Sequence, residues 1–115
     1  PAIDALRHLL SRGASAERIT FSSDAGGSLP LYIDGDFRGL TAATPDCLLA
    51  LLSEVASSEP ELFPTVLTGM TRNPANALKM PTLGRLEPGG YADFLLIDAA
   101  STQLSQVYCA GKPLR

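Results

Sequence analysis

The chain has 115 residues, 45% of them hydrophobic, an ordinary globular composition and enough for one small domain. A chain of this length buries roughly two thirds of the surface it exposes when unfolded, so an independent core is attainable but not assured. The formal net charge is −3 and the basic residues are scattered, which argues against nucleic acid or an anionic membrane as partner.

No apolar run approaches the length of a bilayer span, and no signal peptide is visible. The chain starts at Pro1 rather than Met, as a processed chain or a piece of a longer one would. Cys47 and Cys109 fall in segments that read as a helix and a strand. They have no CxxC spacing, so a zinc knuckle is not expected. Two buried thiols in a reducing compartment, the cytoplasm, is the simplest expectation.

Ala2 to Arg12 reads as a helix, with Ile3, Leu6, Leu9 and Leu10 on one apolar stripe and Gly13 at the C-terminal cap. Arg18 to Ser22 has the β-branched and aromatic content of a short buried strand. Helix, strand and polar loop in that order form the αβ half of a parallel α/β repeat. The long stretch from Ser23 to Ala43 holds Gly26-Gly27 and then an apolar segment interrupted by Asp34-Gly35, which predicts a hairpin turn. Thr44 is placed to cap the next helix, Pro45 to take its first position and Asp46 to meet its positive end. Leu48, Leu49, Leu51, Leu52 and Val55 make the buried face of that helix.

After a break at Ser57 to Glu61, a second helix carries Leu62, Phe63, Val66, Leu67 and Met70, with Pro64 in its first turn. A short helical piece runs from Asn73-Pro74 through Leu78, with Thr71 or Asn73 as its cap. Turn-rich sequence from Pro81 to Gly90 then leads to strands over Ala92 to Asp98 and Gln106 to Cys109, and Ala110-Gly111 turns the chain into Lys112.

The candidate site is Ser22-Ser23-Asp24-Ala25-Gly26-Gly27-Ser28, directly after the predicted strand. Loops at the C-terminal ends of parallel strands build active sites in α/β folds. A carboxylate there can ligate a metal, accept a proton from water, or do both. The glycines allow close approach of a ligand, and Ser28 offers a hydroxyl for a substrate carboxylate or amide. The bland alternative is that Asp24 caps the next turn and the glycines merely shape the loop.

Ile19-Thr20-Phe21-Ser22-Ser23-Asp24, followed by Gly26, Ser28 and Pro30, resembles the last-strand segment of the amidohydrolase superfamily, and more narrowly that of bacterial isoaspartyl (β-aspartyl) dipeptidases. Thr71-Arg72-Asn73-Pro74-Ala75-Asn76-Ala77-Leu78, then Gly84-Arg85-Leu86, Pro88-Gly89 and Ala92 to Asp98, resembles the closing signature of the superfamily. The resemblance covers essentially the whole chain. It implies that Asp24 matches the catalytic aspartate at the end of the eighth barrel strand, beside a binuclear zinc centre. There it accepts a proton from the attacking water and passes it to the leaving amine. Ser28 matches a substrate-binding serine, and Ala25 stands where a glycine is expected.

The zinc ligands that the resemblance implies are a His-X-His pair, a bridging carboxylated lysine or carboxylate and two further histidines. The chain holds only His8, which reads as a surface residue on the first helix. One carboxylate cannot hold two zinc ions, so the isolated chain is expected to be inactive.

The expected fold class is α/β: the C-terminal portion of a TIM-like (β/α) barrel in residues 1–80, followed by strands of a small β domain in residues 81–115. The resemblance implies partner strands for that β domain from elsewhere in a longer protein, and unpaired strand edges invite association, so the isolated chain is expected to oligomerise, swap or aggregate without a complementing chain. The full-length form is expected to be a homo-oligomer. The expected function is hydrolysis of small isoaspartyl dipeptides. Alternatives are another amidohydrolase substrate, such as a cyclic amide or a deaminated ring, or a noncatalytic remnant serving as an interaction module. Asp93 is expected to make structural hydrogen bonds at the start of its strand. Asp34 and Asp36 read as solvated turn residues.

Overall fold

The computed structural model describes residues 1–114. Helix α1 spans Ala2–Ser11 and ends as the glycine predicts. Gly13 takes φ 85°, and the N–H groups of Gly13 and Ala14 reach back to the carbonyls of Leu10 and Leu9, each at 3.0 Å. This crossed pair satisfies two carbonyls that the helix end would otherwise orphan. A 3-10 turn follows at Ala16–Arg18.

Strand β1, Ser28–Ile33, and strand β2, Asp36–Ala42, form an antiparallel hairpin. Asp34 at φ 52° and Gly35 at φ 85° make the turn, since both central positions must be left-handed to match the twist of the strands. Helix α2 spans Asp46–Ser58, a second 3-10 turn spans Pro60–Leu62, helix α3 spans Phe63–Met70 and helix α4 spans Arg72–Ala77. Pro64 sits in the first turn of α3, where its missing N–H costs nothing. Strands β3, Phe94–Ile97, β4, Leu104–Cys109, and β5, Lys112–Pro113, form an antiparallel sheet in that order.

Ile3 and Leu6 of α1 pack with Leu52 and Val55 of α2 and Val66 of α3, and these five residues are the heart of the core. Leu10, Ile19, Phe21, Phe63, Met70 and Ile97 close around them. Ile97 ties the three-stranded sheet to the helices. A hydroxyl contact between Ser53 of α2 and Thr102 of the β3–β4 turn adds a polar link. Arg7 of α1 makes a bidentate pair with Glu59 just after α2, and the guanidinium holds the Glu59 carboxyl below its ordinary range.

Several expectations from the sequence are corrected. Leu9 is 46% exposed, because the buried stripe of α1 is narrower than its apolar pattern and turns away after Leu6 and Leu10. Thr44 makes no side-chain cap: Pro45 occupies the N-cap position of α2, and its carbonyl accepts the N–H of Leu48 at 3.1 Å. Cys47 and Cys109 are exposed, so neither is a core thiol. Arg18 to Ser22 forms no strand. Among the described residues no strand runs beside it, and without a ladder partner its backbone stays irregular.

Candidate active site

The segment that delivers Asp24 is held from one side by two helices. Ile19 is extended, at φ −92° and ψ 131°. The side chains of Ile19 and Phe21 turn inward onto the core, while Thr20 and Ser22 are exposed. That is the alternation of a strand, although no neighbouring strand is present among the described residues. The N–H of Phe21 donates to the Gly69 carbonyl at 3.0 Å. The Phe21 ring lies so close to Gly69 that an added Cβ would sit 2.7 Å from it. From α4, the side-chain amide of Asn73 donates to the carbonyls of Ala16 and Ile19, at 2.8 and 2.7 Å.

The chain then bends. Asp24 takes φ 51°, a left-handed conformation that an aspartate tolerates better than most residues but at a cost of roughly 1 kcal/mol. Its N–H meets the Ser22 hydroxyl at 3.3 Å, and its carbonyl accepts the N–H of Gly27 at 2.8 Å. Gly26, at φ 87°, completes this four-residue turn. Two further bonds fasten the turn to the base of the hairpin: Gly26 N–H to the Ala43 carbonyl at 3.0 Å, and Ala43 N–H to the Gly27 carbonyl at 2.8 Å.

The Asp24 carboxylate folds back over Gly27, where a Cβ would come within 2.5 Å of Oδ2. It is exposed and accepts no hydrogen bond among the described residues. The backbone of Asp24 makes the turn, and its side chain is left out of it. Capping therefore explains the carbonyl and does not explain the carboxylate. The expected role of the glycine pair is refined in the same way: Gly27 makes room for this chain's own carboxylate.

Ser28 follows immediately as the first residue of β1, paired in register with Ala42 and exposed. Asp24 and Ser28 are thus joined by one tight turn that ends in a regular strand. His8 lies exposed on α1. Among the described residues no three His, Cys, Asp or Glu side chains gather as a metal-binding group. Asp24 fits one contact to a metal or its water, and the chain's described residues supply no surrounding ligand set.

The sequence profile of the amidohydrolase family matches residues 1–114. The chain belongs to the amidohydrolase family. Within that family it is similar to the β-aspartyl dipeptidase of Fervidobacterium islandicum AW-1, whose structure was solved in complex with a β-Asp-Leu dipeptide. The two are 33% identical with a TM-score of 0.81, over 99% of this chain and 29% of that one. It is also similar to the imidazolonepropionase of Streptomyces coelicolor, 32% identical over 92 residues, which is 79% of this chain and 22% of that protein. A deacetylase of Agrobacterium fabrum is 30% identical over 87 residues, 76% of this chain and 21% of that protein. This amidohydrolase chain therefore spans less than a third of the length of each of these relatives.

Sequence reasoning missed two residues that hold the segment leading to the candidate site. Asn73 is read from sequence as a helix cap, yet α4 has no side-chain cap. The Thr71 hydroxyl donates to the Leu67 carbonyl at 2.7 Å, and Asn73 is buried against the segment leading to Asp24. Gly69 carries no signal in sequence beyond being a glycine inside a helical pattern, a placement that points to close packing. Asp93 does what was expected of it: its carboxylate accepts the N–H of Ala110 at 2.7 Å, fixing the start of β3 to the turn before β5.

Proposed function

We propose that this chain is the C-terminal part of a metal-dependent dipeptidase that hydrolyses β-aspartyl dipeptides. In this reading residues 1–80 complete a (β/α) barrel and residues 81–115 supply strands to a small β domain. The observation that carries it is the match over 99% of the chain to a β-aspartyl dipeptidase, together with an exposed Asp24 carboxylate that no group among the described residues occupies.

Amide hydrolysis needs a water stripped of a proton and a leaving nitrogen that gains one. Asp24 is suited to both tasks. Its carboxylate takes a proton from water as the water oxygen bonds to the amide carbon. It then gives that proton to the nitrogen as the carbon–nitrogen bond breaks, leaving a carboxylic acid and an amine. The left-handed backbone turns that carboxylate back over Gly27, where the missing Cβ leaves it room. Ser28, at the start of a regular strand, offers a hydroxyl to a polar group of the dipeptide. A family metal centre would supply carbonyl polarisation and a more acidic water. Asp24 alone cannot hold two zinc ions, so the chain by itself is expected to be inactive.

A second reading, a different amide or ring substrate, draws on the similarity to an imidazolonepropionase and a deacetylase. The whole protein, purified with its metal, should be assayed against β-Asp-Leu, imidazolonepropionate and an N-acetyl amino acid. Turnover of β-Asp-Leu with a kcat/KM at least about 100-fold above the others supports the dipeptidase. Preference for either alternative replaces it.

A further inference from the structure

We infer that Asn73 is a positioning residue for Asp24, acting through the backbone of residues 16–21. The inference rests on the proton-transfer role proposed for Asp24. Asn73 is the buried polar residue of the core region, 5% exposed. Both hydrogens of its amide group are used on one short piece of chain, at the carbonyls of Ala16 and Ile19. Those two carbonyls bracket the 3-10 turn that ends where the run to Asp24 begins.

Beyond Ile19 the run has few other supports. From Thr20 to Ser23, the one backbone-to-backbone bond among the described residues is Phe21 N–H to the Gly69 carbonyl. The turn at Asp24 then hangs on the hairpin through Gly26 and Gly27. Asn73 and Gly69 lie on consecutive helices, α4 and α3, so the helices clamp the segment at Ala16, Ile19 and Phe21. Five residues from Ile19 to Asp24 reach at most about 17 Å, so a tilt of roughly 3° at Ile19 displaces the carboxylate by about 1 Å. A displacement of about 1 Å costs on the order of 100-fold in rate when the reacting groups are held in line.

An asparagine suits the place because two carbonyls face it. An aspartate would set oxygen against oxygen, and an alanine would take the side-chain donor from both carbonyls, leaving Ala16 with only the Ile19 N–H at 3.3 Å.

The test is a double-mutant cycle in the whole protein, measured as kcat on β-Asp-Leu, with Asn73→Ala, Asp24→Asn and both together. Thermal unfolding is recorded for each variant, and Leu52→Ala serves as a core control. Expected are a loss of at least about tenfold in kcat for Asn73→Ala with KM within about twofold, and no further loss when Asp24 is already replaced. Leu52→Ala should lower Tm while holding kcat per folded molecule within about twofold. If Asn73→Ala does not fold, Gly69→Ala tests the other arm of the clamp, since its methyl meets the Phe21 ring at 2.7 Å, and the same non-additive pattern is expected.

Equal fractional losses in both Asp24 backgrounds, or an unchanged kcat, overturn the positioning role while leaving the dipeptidase reading intact. An unchanged kcat for Asp24→Asn itself removes the proton-transfer role and this inference with it.

Discussion

The carboxylate of Asp24 lies against the α-carbon of Gly27, three residues later, in space that any side chain would fill. A Cβ on Gly27 would stand 2.5 Å from Oδ2 and 2.9 Å from the Asp24 carbonyl oxygen. Gly27→Ala must therefore move the carboxylate or open the turn. Its φ lies outside the left-handed range, so the obstacle to alanine is these contacts and not the dihedral angle. We predict a fall in kcat per folded molecule of about 10- to 100-fold together with a lowered Tm, read by steady-state kinetics and thermal unfolding on the whole protein.

Ser28 is predicted to act on binding rather than on proton transfer. It begins a regular strand and its side chain is exposed, so removing the hydroxyl disturbs little structure. Ser28→Ala should raise KM for a β-aspartyl dipeptide by about tenfold, the worth of one hydrogen bond to a charged group, and should lower kcat far less. The reverse split, with kcat down and KM unmoved, would assign Ser28 to the chemical step.

Leu6 is 2% exposed and sits between α2 and α3. Leu6→Ala should cost roughly 2–5 kcal/mol of stability, the usual range for emptying a buried leucine site. It lies in the helix before the site segment and touches no reacting group, so chemical denaturation should report the loss while kcat per folded molecule stays within about twofold. A large fall in kcat at intact Tm would show that α1 acts on the site more directly than packing allows.

Asp98 gives a pH dependence whose sign is set by its turn. Its carboxylate accepts the Ser101 N–H at 2.6 Å, the Ser101 hydroxyl at 2.8 Å and the Ala100 N–H at 3.0 Å. These bonds, the Ser101 N–H foremost, hold its folded pKa below the ordinary aspartate range. A group depressed in this way stabilises the folded state fully above its unfolded pKa, about 3.9, and the contribution is lost as pH falls through the lower folded value. Asp98→Asn should flatten the acid limb of stability against pH below about 4 and leave that limb's shape at neutral pH alone. An identical acid limb in wild type and variant would mean that this turn does not contribute to it.

The helices and hairpins were legible because local chemistry dictates them. Gly13 ends α1, Pro64 begins α3, Asp34-Gly35 turns β1 into β2, and Ala110-Gly111 turns β4 into β5. Asp24 and Ser28 are proposed site residues from the sequence, and the structure puts Asp24 in a tight turn and Ser28 at the start of β1. What composition could not supply was tertiary pairing. The strand expected at Arg18 to Ser22 depends on neighbours, and Ile19 and Phe21 keep its alternation while the ladder is missing. Asn73 looked like a cap because asparagine before proline at a helix start so often is one. Its actual partners are more than 50 residues earlier in the chain, a distance that no local pattern spans.

The most direct measurement is the kcat of the whole, metal-loaded protein on β-Asp-Leu, with and without Asp24→Asn, an isosteric change that removes the proton acceptor while keeping the turn. The account predicts a loss of about 100-fold or more at nearly unchanged KM and Tm. A variant that retains kcat within about twofold would contradict it, because the carboxylate that folds back over Gly27 would then take no part in the chemistry.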